Sequence, residues 1–228
     1  MGVIAGPQNS IVTDGLVLHL DAANPRSYKA GDNWLDLTLR NDVSLNANVT
    51  YDNSSIYFNG TGCILGPTTD LAITGDLTLS TWVLDNGDDT FYGSKITRGI
   101  LGKFAGYGYG LMKQSNLYKF WTSPINNKYY AEADGIIIDN KWHMITGVRK
   151  NNINYIYVDS VLQIDTVDDA ELFDSEDYLC IGRLYSDVDD FYWNSKIAIC
   201  QIYNRALSNE EISQNYNALV SRFLNKNF

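Results

Sequence analysis

Basic residues are in short supply in this chain of 228: Lys and Arg number 17 against 27 Asp and Glu, leaving a net charge of -10. Such a surface repels phosphate backbones and anionic lipid headgroups, so nucleic acid and membranes drop out as partners. Histidine is scarcer still. With His19 and His143 alone, a nucleophile triad has few ways to form, and His143 beside Trp142 reads as a structural histidine. The three cysteines, Cys63, Cys180 and Cys200, are too widely spaced for a zinc motif and too few for a disulfide framework. They read as buried thiols, at least one unpaired, with Cys180 and Cys200 the two that strand packing could bring close. No apolar run reaches the length of a membrane span, and the opening MGVIAGPQNSIVTDG has neither the basic start nor the apolar stretch of a secretory signal. The expectation is a chain that stays where it is made. A Gly-rich phosphate loop is missing too, because Gly106-Tyr107-Gly108-Tyr109-Gly110 has no following helix and reads as a hairpin.

What is present favours strands. Hydrophobic residues make up 45% and charged ones 19%, with 16 Tyr among them. A chain of this length buries about 70% of the surface its unfolded form exposes, enough for one large domain over residues 1–228 without staples. No repeat, linker or composition shift argues for a second. Period-two alternation or short apolar runs predict strands at Gly15–Asp21, Ser55–Asn59, Cys63–Leu65, Leu77–Val83, Ile100–Phe104, Tyr107–Met112, Leu117–Thr122 and Tyr129–Glu132. They continue at Trp142–Arg149, Tyr155–Val158, Val161–Asp165, Tyr178–Ile181 and Lys196–Tyr203. The segment at about 22–50, with Pro25, Gly31 and many Asn and Asp residues, is expected to wander over the surface, anchored by Tyr28, Trp34 and Leu37. One helix is predicted at the C-terminal end: Ser208 and Glu211 form a capping box, and Ile212, Tyr216, Leu219 and Phe223 form one apolar stripe.

Four pieces in this order carry a resemblance: LTLSTWV at Leu77–Val83, KWHMITGVRKNNINYIYVD at Lys141–Asp159, CIGR at Cys180–Arg183 and IAICQIYNRALSNEEI at Ile197–Ile212. The chain resembles the laminin G-like, concanavalin A-like superfamily. That likeness implies an all-β, antiparallel two-sheet jelly-roll sandwich with one C-terminal helix. The opening IVTDGLVLHLDAANPRSY, followed by Trp34-Leu35-Asp36-Leu37, is similar to virion-associated proteins of tailed phages that carry such a domain. It implies a virion localisation, synthesis in the host cytoplasm, and other virion proteins as partners. The function implied is a non-enzymatic structural or decoration protein, present in many copies, that adheres to surface glycans. A free carbohydrate-binding lectin module is the alternative, and a glycan-cleaving enzyme the third reading. Laminin-type members carry a calcium-binding aspartate near the strand matched to Tyr107–Met112, where this chain has no carboxylate. The family's phenylalanine-x-glycine before the last strand is replaced by Phe191-Tyr192-Trp193-Asn194-Ser195.

Calcium takes about six to eight oxygens, which acidic loops supply. The clusters Asp85, Asp88 and Asp89, Asp165, Asp168 and Asp169, and Asp187, Asp189 and Asp190 are calcium candidates on that ground, with solvated turns as the alternative. Sugar binding needs aromatic faces and a few fixed polar groups in a shallow cleft. Tyr107, Tyr109, Trp121, Tyr129, Tyr130, Tyr185 and Trp193 are the glycan candidates, while about half of such aromatics serve the core or an oligomer interface instead. Trp82 and Trp142 are assigned to the core. Catalysis would need opposed carboxylates, and Glu171, Asp174 and Glu176 do not share one strand face.

Overall fold

A computed structural model describes residues 10–46, 48–66, 71–86, 97–104, 107–114, 117–123, 129–132, 140–167, 171–172, 174, 177–184 and 191–224, with the side chains of 123, 129–132 and 167 left aside. Two antiparallel sheets of eight strands face each other. The first runs, edge to edge, through β14 (Val161–Val167), β13 (Ile153–Val158), β12 (Trp142–Lys150), β7 (Leu77–Leu84), β16 (Lys196–Tyr203), β5 (Ser55–Phe58) and β4 (Val49–Asp52), with β1 (Leu16–Asp21) also paired to β16. The second runs through β11 (Tyr129–Glu132), β10 (Leu117–Ser123), β9 (Gly108–Gln114), β8 (Thr97–Phe104), β15 (Leu179–Ile181), β6 (Ile64–Gly66), β3 (Val43–Leu45) and β2 (Asn33–Trp34). This is the jelly-roll sandwich that the sequence implies.

Alternation sorts the side chains into layers. Leu77, Leu79 and Val83 of β7 point between the sheets, against Leu111, Phe120 and Ile181 of the other sheet. At one point the sheets come so close that Phe120 lies on bare backbone: a Cβ on Gly147 would stand 2.2 Å from its ring. Trp82 and Leu84 point the other way, and every residue of β7 is buried because helix α1 (Asn209–Leu219) covers that outer face. Ile212, Leu219 and Phe223 meet Trp82, Trp142 and Met144 there. The family-marking IYNRALSNEEI run is the clasp that holds the helix on: Arg205 grips Glu211 with two bonds of 2.9 and 2.6 Å, and Glu211 in turn accepts the Ser208 N–H at 2.8 Å. Among the described residues no helix is long and apolar enough to cross a membrane.

Two expectations change. The segment at 22–50 is not merely a surface loop, since it contributes β2, β3 and the start of β4, and Trp34 is fully buried. Asp36 organises it from inside, accepting the backbone N–H groups of His19, Thr38 and Asn41 at 2.8, 2.9 and 3.0 Å. Cys180 and Cys200 sit on opposite sheets, and all three cysteines are buried.

Candidate functional site

Much of the face expected to bind sugar is filled. Tyr109 is 2% exposed and donates its hydroxyl to the Leu71 carbonyl at 2.6 Å, an internal bond. Trp121 is 1% exposed and packs edge-on to Phe104, under Leu184 and Phe191 on the outer face of the second sheet. Trp193, also 1% exposed, belongs to the central core, and its backbone N–H donates to the Gly182 carbonyl at 2.8 Å. None of these three offers a face to a ligand: Tyr109 and Trp121 stand on strands buried on both sides, and Trp193 is enclosed in the core. Tyr107 is half-buried, Tyr129 and Tyr130 lie on β11, and Tyr185 falls outside the described residues.

The acidic clusters part ways too. Asp85 is buried and pairs with Lys113 at 2.8 Å, so its charge is already neutralised by an ammonium and it is not a free calcium ligand. Asp165 is exposed on β14, while Asp88, Asp89, Asp168, Asp169, Asp187, Asp189 and Asp190 lie outside the described residues. Among the described residues no three His, Cys, Asp or Glu side chains converge as a metal site. Asp174 pairs with the buried Lys103, away from any carboxylate partnership with the exposed Glu171. His143 is buried with Nδ1 2.6 Å from Asp159, whose second oxygen accepts the Met144 N–H at 2.9 Å, so it clamps a turn to β12.

The structure assembles a different cleft, on the outer face of the first sheet. Strands β12 and β13 are joined by Asn151-Asn152 with φ of 49° and 60°, and β13 and β14 by Asp159-Ser160 with φ of 51° and 66°. These left-handed pairs make tight two-residue hairpins whose twist matches the strands. They present Tyr155 and Tyr157, two apart, on one face, with Val148 opposite Tyr155 and Leu162 opposite Tyr157. The start of α1 forms the facing wall. Between them lies a cavity of about 300 Å³ floored by Tyr155, Tyr157 and Leu162 and rimmed by Lys150, Asn209 and Glu210.

Two pairs of polar groups there are fixed, Tyr157 with Asn209 and Ser208 with Glu210. Tyr157 donates to Asn209 Oδ1 at 2.7 Å, and burial, with the nearby Tyr155, Asp165 and Glu210, pushes its hydroxyl above the usual range so that it stays a donor. The Glu210 carboxyl is held below its usual range by its own backbone N–H and by the Ser208 hydroxyl, with Lys150 adding attraction. It is therefore an ionised acceptor at neutral pH. Sequence reasoning passed over all of these residues. The one available signal was the Tyr-x-Tyr of INYIYV, which puts two rings on one strand face without saying whether that face is covered.

A second cavity, of about 400 Å³, opens at the end of the sandwich beside the β12–β13 turn, lined by Thr74, Asp76, Arg149, Asn152, Glu171 and Leu172. Arg149, 2% exposed, donates to Thr122 Oγ1 at 3.0 Å and Asn152 Oδ1 at 3.1 Å, while Asp76 accepts the Asn151 N–H at 2.9 Å.

A laminin G-type family model, described as the concanavalin A-like lectin/glucanases superfamily, matches residues 57–213. No curated protein matches the chain. Among solved structures, the binding domain of Paraclostridial mosquitocidal protein 1 is similar at a TM-score of 0.72 and 15% identity, over 90% of this chain and 52% of that one. The botulinum neurotoxin serotype D ligand binding domain, in complex with N-acetylneuraminic acid, gives 0.72 and 18% over 92% and 52%. Trypanosoma rangeli sialidase gives 0.67 and 18% over 92% and 34%. The chain thus spans from about a third to half the length of these proteins, and at such identities the likeness is one of fold.

Proposed function

Given that the chain belongs to the concanavalin A-like lectin/glucanase superfamily, we propose that it is a non-enzymatic module that binds uncharged glycans in the cleft between Tyr155, Tyr157 and the start of α1. The observation that carries this is an aromatic floor beneath a polar rim. A pyranose lays its apolar face on an aromatic ring and offers hydroxyls around its edge, and the cleft supplies the half-buried Tyr155 ring, backed by the buried Tyr157, with donors and acceptors from Lys150, Asn209 and Glu210. Charge selects among sugars. Lys150 and Glu210 offset each other within the cleft, and the protein as a whole carries -10, so an acidic glycan meets net repulsion. The botulinum neurotoxin domain was solved with an acidic sugar; the charge here favours neutral ones.

The carboxylates support binding without cleavage. Among the described residues Glu210 is the one carboxylate lining the cleft, and it is exposed and ionised, whereas glycoside hydrolysis needs a second one opposite and a protonated acid. A glycan array of neutral and acidic sugars tests the reading, run with and without calcium so that the acidic clusters are read as cation sites at the same time. Neutral sugars bound by the wild type and lost in Tyr155→Ala support it; capture of acidic sugars alone, or shortening of an offered polysaccharide, overturns it.

The resemblance of the opening to virion-associated proteins supports a place on a virion, where weak contacts of single copies sum over many. Mass spectrometry of purified particles tests that placement. Absence from particles leaves the free lectin module as the reading.

A further inference from the structure

The two cavities stand back to back on consecutive residues of β12. Side chains alternate along a strand, so Arg149 enters the end cavity while Val148 and Lys150 line the tyrosine cleft. Only the Asn151-Asn152 turn separates the two mouths, and Asn152 itself lines the second. Lys150 is followed at once by this tight turn, so a ligand that leaves the cleft past Lys150 meets the end cavity around it.

The end cavity has the chemistry of a second sugar position. Among the described residues it is lined by no aromatic ring, but it mixes donors (the Arg149 guanidinium, the Asn152 amide and the Thr74 hydroxyl) with acceptors (the Asp76 and Glu171 carboxylates). Hydroxyl groups answer both kinds, each donating one bond and accepting others. Two carboxylates against one guanidinium turn away anions here as well. Arg149 and Asp76 are preorganised by their bonds to Thr122, Asn152 and the Asn151 N–H, so little ordering remains for a ligand to bring about.

Resting on the glycan reading above, we infer that the tyrosine cleft and the Arg149 cavity are two positions of one extended site. It takes a chain of several uncharged sugar units running over the β12–β13 turn. A chain that fills the first position holds its next units at high effective concentration beside the second, so affinity climbs with length far beyond the few-fold statistical gain of a longer polymer.

Isothermal titration of the full chain with uncharged oligomers of glucose, mannose, galactose and N-acetylglucosamine, from one to eight units, tests this. Glu171→Ala probes the end cavity, since Glu171 is exposed and its loss leaves folding intact, which a melting curve verifies; Tyr155→Ala probes the cleft. The expected result is one long oligomer per protein, bound about 100-fold tighter than the shortest binder. Glu171→Ala should cut long-chain affinity about tenfold more than short-chain affinity, as loss of one hydrogen bond to a charged group does. Long oligomers that bind no tighter than short ones, two oligomers per protein at every length, or equal effects of Glu171→Ala on both would overturn the extended site while leaving glycan binding standing. No binding at any length sinks the glycan reading itself.

Discussion

Phe223→Ala puts the docking of the helix to a quantitative test. The Phe223 ring stacks on Trp82 with centroids 4.2 Å apart and planes at 13°, leans on Trp142 at 5.2 Å, and is 7% exposed. Removing a buried phenylalanine costs about 3–5 kcal/mol, the range reflecting how far the site collapses. Phe223 lies just past the 3-10 turn Val220–Arg222, close to the chain end, where neighbours can settle into the gap, so about 3 kcal/mol is expected. Urea unfolding followed by tryptophan fluorescence reads it, with the midpoint falling and the slope unchanged. The adjacent Leu224, 72% exposed, is the control, and Leu224→Ala should stay within about 0.5 kcal/mol of wild type. A Phe223→Ala loss under about 1 kcal/mol, or equal losses at both positions, would refute a helix seated on Trp82.

Gly182→Ala should destabilise by about 3 kcal/mol or more in the same assay, since Gly182 has φ +78° and a Cβ there would stand 2.2 Å from the Phe58 ring; a neutral outcome would contradict the packing of β15 against β5. Acid should unfold the protein in two stages. Burial lowers the His19 imidazole below 6.5, so its neutral-form contribution is full above pH 6.5 and drains as pH falls beneath it; the Arg205 bond holds Glu211 below 4.5, so its contribution is full above pH 4.5 and is lost under it. Melting temperature against pH should lose the first stage in His19→Gln and the second in Glu211→Gln, and an unchanged profile in either variant refutes the assignment. Burial pushes the Cys200 thiol up to about 12, so it should resist alkylation at pH 8 until the chain unfolds; rapid native labelling followed by peptide mapping would disprove its burial.

Strand positions were legible because alternation and apolar runs survive into the fold: β10 to β13 and β16 begin or end within two residues of the expectation. The capping box was legible because it is local, needing Ser208 and Glu211 alone. The 22–50 segment misled because short strands buried at sheet margins, such as Asn33-Trp34, are too brief to show a period, and because Asp36 works by gathering N–H groups from His19, Thr38 and Asn41, which no spacing rule anticipates. The site was the least legible part. Tyr109, Trp121 and Trp193 carry the residue types a sugar needs, but exposure is decided by what packs over them, here Leu71, Phe191 and the core between the sheets. Tyr155 and Tyr157 become a cleft only when the start of α1, more than fifty residues away in sequence, comes to lie beside them.

The central claim is that the tyrosine cleft holds a sugar ring, and the most direct measurement is the affinity of the strongest array hit for wild type, Tyr155→Ala and Tyr155→Phe, each shown to melt normally. Losing a central aromatic contact is worth about 2 kcal/mol, so Tyr155→Ala should bind about 30-fold more weakly while Tyr155→Phe, which keeps the ring, stays within a few-fold. Equal affinity in all three proteins would contradict the account.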